Sequence, residues 1–182
     1  MSVHVPLTAE AQGEAREIIA EAAQSVGMPY VTDRWLGGMM TNFSTIRQSI
    51  RKMQKIQSML NDGSLDNITK KERLTMTRTH TKLDRVFGGM AQLNRLPNAL
   101  LILDINHEHL AVAEATRLGV KTIGIVDTNS DPNKVDFAIP ANDDASKSIK
   151  IIADYLVSAI QEGLDDRNKG KEEKAKTEET SA

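Results

Sequence analysis

The chain has no cysteine, so disulfides, thiolate metal sites and cysteine nucleophiles are excluded. Aromatic residues make up only 3% of its 182 residues, which leaves little for stacking nucleic-acid bases and shifts any such contact toward phosphates and shape. No run approaches the ~18 consecutive apolar residues a membrane span needs. The start, Met1-Ser2-Val3-His4-Val5, has neither a basic nor an apolar leader region. The expectation is a soluble cytoplasmic protein. Acid is scarce in one place only: between Arg34 and Arg95, 12 of the 23 basic residues meet just Asp62, Asp66, Glu72 and Asp84. That segment carries a net charge of +8 inside a chain of net charge −2. Such asymmetry points to a polyanion on one part of the surface, and the natural polyanion is nucleic acid.

What is present reads as an α/β core with an insertion. Met28 to Val31, Ala99 to Leu103 and Lys121 to Val126 are apolar, partly β-branched runs, and Phe137 to Ile139 is a shorter one. Glu108 to Leu118 is patterned as a helix stopped by Gly119, which makes a βαβ unit and argues for a mostly parallel sheet. A last helix carries Ile149, Ile152, Leu156 and Ile160 on one face, with Asp143 or Asp144 as its expected N-cap. Between first strand and βαβ unit the period changes. Phe43, Ile46, Ile50, Met53 and Leu60 follow heptad spacing interrupted at Gln57, and Asn61-Asp62-Gly63-Ser64 breaks the helix. Thr69-Lys70-Lys71-Glu72 is a capping-box pattern, and Leu83, Val86, Met90 and Leu93 continue at heptad spacing up to Pro97. Two helices about a short turn form an antiparallel hairpin. The expected division is residues 1–42 and 96–163 as a discontinuous α/β domain, 43–95 as an inserted helical arm, and 164–182 as a disordered charged tail.

The arm holds Arg51, Lys52, Lys55, Lys70, Lys71, Arg73, Arg78, Lys82 and Arg85, with few acids to neutralise them. An ordinary solvated helix face mixes signs; this one calls for phosphates, and about five such contacts give a log K versus log salt slope near −4 or −5. His80 adds a pH-sensitive contact there. At the junction, Gly37-Gly38 allows close backbone approach to a sugar-phosphate chain, with Arg34 and Arg47 reaching phosphates and Thr41 or Asn42 adding hydrogen bonds. The bland reading is a bend into the hairpin with Trp35 in the core. Asp127-Thr128-Asn129-Ser130-Asp131 follows a central strand, where open α/β sheets place ligands, and supports an alternative: a Rossmann-type phosphosugar- or nucleotide-binding enzyme. Asx turns account for the same residues, and no glycine-rich phosphate loop or nucleophile elbow follows any strand. His107-Glu108-His109 reads as a helix-start cluster, since residues two apart on a helix point about 200° apart. The methionines read as core and seam fillers. A third reading, a protein-binding hairpin, predicts association that survives high salt.

Arg34-Trp35-Leu36-Gly37-Gly38-Met39-Met40-Thr41-Asn42-Phe43, Leu96-Pro97-Asn98-Ala99-Leu100, Ile125-Val126-Asp127-Thr128-Asn129-Ser130-Asp131-Pro132 and Ile139-Pro140-Ala141-Asn142-Asp143-Asp144 together resemble the bacterial small-subunit ribosomal protein S2 family, from about Ala15 to Gly163. The resemblance implies a flavodoxin-like or Rossmann-like domain with an inserted coiled-coil hairpin. It also implies a non-catalytic, ribosome-associated protein bound to 16S ribosomal RNA and neighbouring small-subunit proteins, including the large ribosomal protein number one. No cofactor, metal, membrane or small-molecule substrate is expected. Members carry some 70 to 80 further upstream residues, including the sheet's first strand, and a sheet lacking that strand exposes an edge.

Overall fold

Residues 2–4, 12–62 and 69–179 are described by the structure, a computed structural model. Strands β1 (Ser2–His4), β2 (Tyr30–Val31), β3 (Ala99–Ile102), β4 (Lys121–Val126) and β5 (Phe137–Pro140) form one parallel sheet in the order β2-β1-β3-β4-β5. Helices α1 (Gln12–Ser25), α2 (Phe43–Asn61), α3 (Lys70–Phe87), α4 (His109–Leu118) and α5 (Ser146–Glu179) complete the α/β fold.

Strand alternation divides the core in two. Leu100 and Ile102 face a cluster with Val31, Trp35, Met39 and Met40, roofed by Ile50 and Met53 of α2, Phe87 of α3 and Ala111, Val112 and Ala115 of α4. Leu101 and Leu103 face the other cluster, with Ala15, Ile19 and Ala23 of α1, Ile125 of β4, and Ile149 and Ala153 of α5. Burial on both faces explains why β3 reads as an unbroken apolar run.

β1 and α1 were not anticipated. β1 lies between β2 and β3 and pairs with both. Three residues are too few to show a period of two. α1 buries two alanines around Ile19, a stripe too small-sided to announce itself as amphipathic.

Arg47 reaching Asn94, and Gln54 reaching the Ala91 carbonyl, set the end of α2's first half beside the residues that follow α3. The two helices therefore run antiparallel. Their apolar side differs from the expected heptad: α2 buries Ile50, Met53 and Ile56, so Ile56 bridges the position where Gln57 was to interrupt the seam. Gln57 is exposed and bonds Asn61. α3 begins with the expected capping box, Glu72 N–H donating to Thr69 Oγ1 at 3.3 Å while Thr69 N–H donates to the Glu72 carboxylate at 3.2 Å. It stops at Phe87, and a 3-10 turn, Gly88–Met90, carries Met90 into the core. Gly89 is required there: a Cβ would stand 2.3 Å from the Tyr30 carbonyl of β2. The break at Gly63-Ser64 lies outside the described residues.

Gly119 ends α4 at φ +67°, the left-handed cap its position suggested. An Asx turn leads into α5. Asn142 Oδ1 accepts the N–H groups of Asp144 and Ala145 at 2.8 and 2.9 Å. α5 continues through residues 164–179, where a disordered tail was expected. Glu, Lys and Ala are strong helix formers, and a helix already nucleated on the core propagates through them at little cost.

Candidate nucleic-acid interface

The junction between β2 and α2 is shaped by a residue distant in sequence, Glu114. Glu114, on the buried side of α4, is 8% exposed. Its carboxylate accepts hydrogen bonds from the N–H groups of Gly38 (2.6 Å), Met40 (2.9 Å) and Thr41 (2.8 Å), from Thr41 Oγ1 (3.0 Å) and from Trp35 Nε1 (3.2 Å). Burial alone would push this carboxyl up. The Thr41, Gly38 and Met40 N–H groups and the Trp35 indole outweigh it and hold the group below the ordinary 4.5. One ionised carboxylate thus gathers the whole loop, and Trp35 is pinned into the core as the bland reading required. Only the order of the fold, not the spacing of residues, brings position 114 to position 38.

This changes what the junction can offer. The Thr41 hydroxyl proton is spent on Glu114, and Asn42 Oδ1 accepts from Thr45 Oγ1 at 2.9 Å. Arg47 donates to the Asn94 carbonyl at 2.7 Å and its Oδ1 at 3.1 Å, tying α2 to the chain beyond α3. Gly38 sits at φ +92°, so its glycine serves the bend. Gly37 differs: it is exposed, and a Cβ there would meet nothing within 4 Å. Gly37 and the exposed Arg34 face outward, beside the exposed Thr41 and Asn42.

On the helices, Arg51, Lys52 and Lys55 lie on the side of α2 away from Ile50, Met53 and Ile56, all three exposed. Lys71, Arg78, Lys82 and Arg85 fall at i, i+7, i+11 and i+14 of α3, one row, with Lys70 and Arg73 also exposed. Arg85 is engaged: its Nε lies 2.6 Å from Asp33 Oδ2. The hydroxyls of Thr75, Thr77, Thr79 and Thr81 each donate to the carbonyl four residues back, leaving the cations as the donors of this surface. His80 faces a different place, a groove between α2 and α3 shared with Gln54, Ser58 and Asp84.

The Asp127 turn is occupied with itself. Thr128 N–H donates to Asp127 Oδ1 at 2.6 Å, Asn133 donates twice to Asp131 Oδ1 at 3.0 Å, and Ser130 donates to Asn129 at 2.9 Å. The Thr128 N–H, and the Asp143 N–H on its other oxygen, hold Asp127 low. Beside it, Asp143 is pushed up to about 6 by burial and by the charges of Asp104, Asp127 and Asp144. Among the described residues, no three acidic or histidine side chains are placed to hold a metal ion. His107 Nδ1 lies 3.1 Å from Glu108 Oε1, and His109 Nδ1 lies 3.2 Å from the His107 carbonyl, so the two rings do not converge on one ion.

Compared with known proteins, residues 7–163 match the family model described as ribosomal protein S2. A protein of Bacteroides thetaiotaomicron named small ribosomal subunit protein uS2 is 53% identical over 154 residues, covering 85% of this chain and 55% of that protein. Proteins of the same name from Bacteroides fragilis and Chlorobaculum tepidum are 47% identical over 178 residues (90% of this chain, 64% of that protein) and 56% over 149 (82% and 60%). The chain spans roughly 55 to 64% of the length of these curated relatives.

Proposed function

Because the chain belongs to the ribosomal protein S2 family, we propose that it is a non-catalytic structural constituent of the small ribosomal subunit, held on 16S ribosomal RNA by its cationic helices. The observation that carries this is the division of α2 and α3 into two sides. Apolar side chains pack toward the sheet, and Arg51, Lys52, Lys55, Lys71, Arg78 and Lys82 stand outward with almost no acid among them. α2 and α3 act as an inserted coiled-coil arm of residues 43–95 on a flavodoxin-like body formed by 1–42 and 96–163. Lys and Arg neutralise phosphates and release counterions, which fixes register without reading sequence. Gly37 and Arg34 extend that surface onto the body. The acidic remainder, whose carboxylates line the strand ends and α5, repels RNA and leaves that side for neighbouring small-subunit proteins, including the large ribosomal protein number one. The protein is accordingly ribosome-associated in the cytoplasm.

Filter binding to small-subunit ribosomal RNA tests this. Reversing Lys52, Lys55 and Lys82 to Glu should weaken association far more than reversing Lys134, Lys147 and Lys150. Lys121 is unsuited to the control set because its Nζ lies 2.7 Å from Asp136. Equal losses would defeat the assignment.

A further inference from the structure

The sheet reverses direction at β1. The chain leaves β1 on one side for β2 and reaches β3 on the other, which makes the carboxyl ends of β1 and β3 the switch point, the crevice where open α/β sheets hold ligands. A cavity of about 540 Å³ opens beside it, between the loop after β2 and the start of α4. Arg34, Asn106, His107, Glu108 and His109 line it, with Trp35 and Leu110 as its apolar wall. Arg34 and the Asn106 carboxamide make no hydrogen bond or ion pair to another described residue. The His107 ring, half exposed, turns Nδ1 toward the buried Glu108 carboxylate at 3.1 Å, which orients its face. A guanidinium for a phosphate, a carboxamide for a base edge and a fixed flat ring for a base face are the groups that single-stranded RNA recognition uses.

We propose that this cavity seats one unpaired nucleotide of the bound RNA, its phosphate on Arg34, its base against His107 and its edge on Asn106. The proposal rests on the RNA-binding reading above and deepens it: the helices hold RNA by charge alone, whereas this seat selects a nucleotide free of its helix. The size fits, since binding cavities of a few hundred Å³ enclose ligands of that class. The same chemistry would take a free 5′-mononucleotide, and the experiment separates the two sources.

Wild-type protein, the Asn106→Ala/His107→Ala double variant and the Lys52→Glu/Lys55→Glu/Lys82→Glu variant are compared for binding to a short single-stranded RNA and to a duplex RNA of equal length. Free AMP, GMP, CMP, UMP and inorganic phosphate are titrated separately. Both altered sites are exposed, and circular dichroism checks the fold. The expected result is a loss of about tenfold for the double variant on single strands, with duplex affinity unchanged, because one stacked base contributes on that scale. The lysine variant should lose both. RNA binding that the double variant leaves intact on both probes overturns the seat and spares the RNA reading. No RNA binding by folded wild type defeats the RNA reading, and a mononucleotide that binds wild type but not the double variant then assigns the cavity to a free nucleotide. Loss on duplex and single strand alike shows a general electrostatic patch and also overturns the seat.

Discussion

Glu114 accepts the Gly38 N–H at 2.6 Å across 76 residues of sequence, and with four further donors it turns a flexible diglycine into a fixed corner. Glutamine at this position keeps the shape, but it brings an NH₂ against N–H groups that point at the same spot. Glu114→Gln should therefore lose roughly 2–3 kcal/mol of stability in urea unfolding at pH 7. The sign with pH follows from a folded value below the unfolded one. The carboxylate's contribution is complete above about 4.5 and is lost as the pH falls through the lower folded value, so wild type and variant should converge as the solution is acidified below it. Parallel curves down to acid would show that the charge is not what holds the corner.

The two glycines should separate cleanly. Gly38 has φ +92°, and a Cβ would meet the Asn42 Cβ at 3.3 Å. Gly38→Ala should cost at least about 1 kcal/mol from the backbone conformation alone. Gly37→Ala, in open space at an ordinary φ, should leave the midpoint of thermal unfolding nearly unchanged. If RNA backbone lies against Gly37, a larger residue such as leucine there should weaken RNA binding without lowering stability, which a paired melting and filter-binding series measures.

Asp143 contributes in the opposite direction. It is 4% exposed, its Oδ2 has no hydrogen-bond partner among the described residues, and burial with the nearby charges of Asp104, Asp127 and Asp144 raises it to about 6. Between the unfolded value of 3.8 and about 6, the folded protein retains a proton that the unfolded chain releases, so ionisation costs stability as pH rises through that window. Asp143→Asn removes the cost. The variant should be more stable than wild type by roughly 1–3 kcal/mol at pH 7.5 and nearly equal to it at pH 4, as urea midpoints at both values would reveal. Equal destabilisation at both would mean that asparagine cannot fit the site.

What the sequence showed and hid follows from range. β3, β4, α4 and the Thr69 capping box depend on neighbours a few residues apart, and all were legible. β1 was not, because a strand of three residues is defined by its partners β2 and β3 rather than by its own pattern. Glu114 looked like any polar residue on a helix; only the fold reveals that its side of α4 faces Trp35 and Thr41. The charged stretch after Glu162 has a composition that fits both a solvated coil and a solvated helix, and the choice depends on α5 being anchored by Ile149 and Ala153. The cations of the arm could be named from charge alone. Which of them were already engaged could not.

That last distinction can be measured. Arg47 holds the Asn94 carbonyl and carboxamide, and Arg85 holds Asp33, whose side chain is only 17% exposed. Arg51 and Lys55, one turn apart on α2, are exposed on the side away from the core. A cation that neutralises a phosphate releases counterions, so removing it should make the salt dependence of binding shallower by about one unit of slope, whereas removing a cation with a structural partner should alter stability instead. Lys55→Ala and Arg51→Ala should each flatten the slope with unfolding unchanged. Arg47→Ala should lower stability by about 1 kcal/mol and leave the slope near its wild-type value. A flattened slope for Arg47→Ala would mean that its guanidinium leaves Asn94 when RNA arrives, and the junction would then be remade on binding rather than preset by the fold.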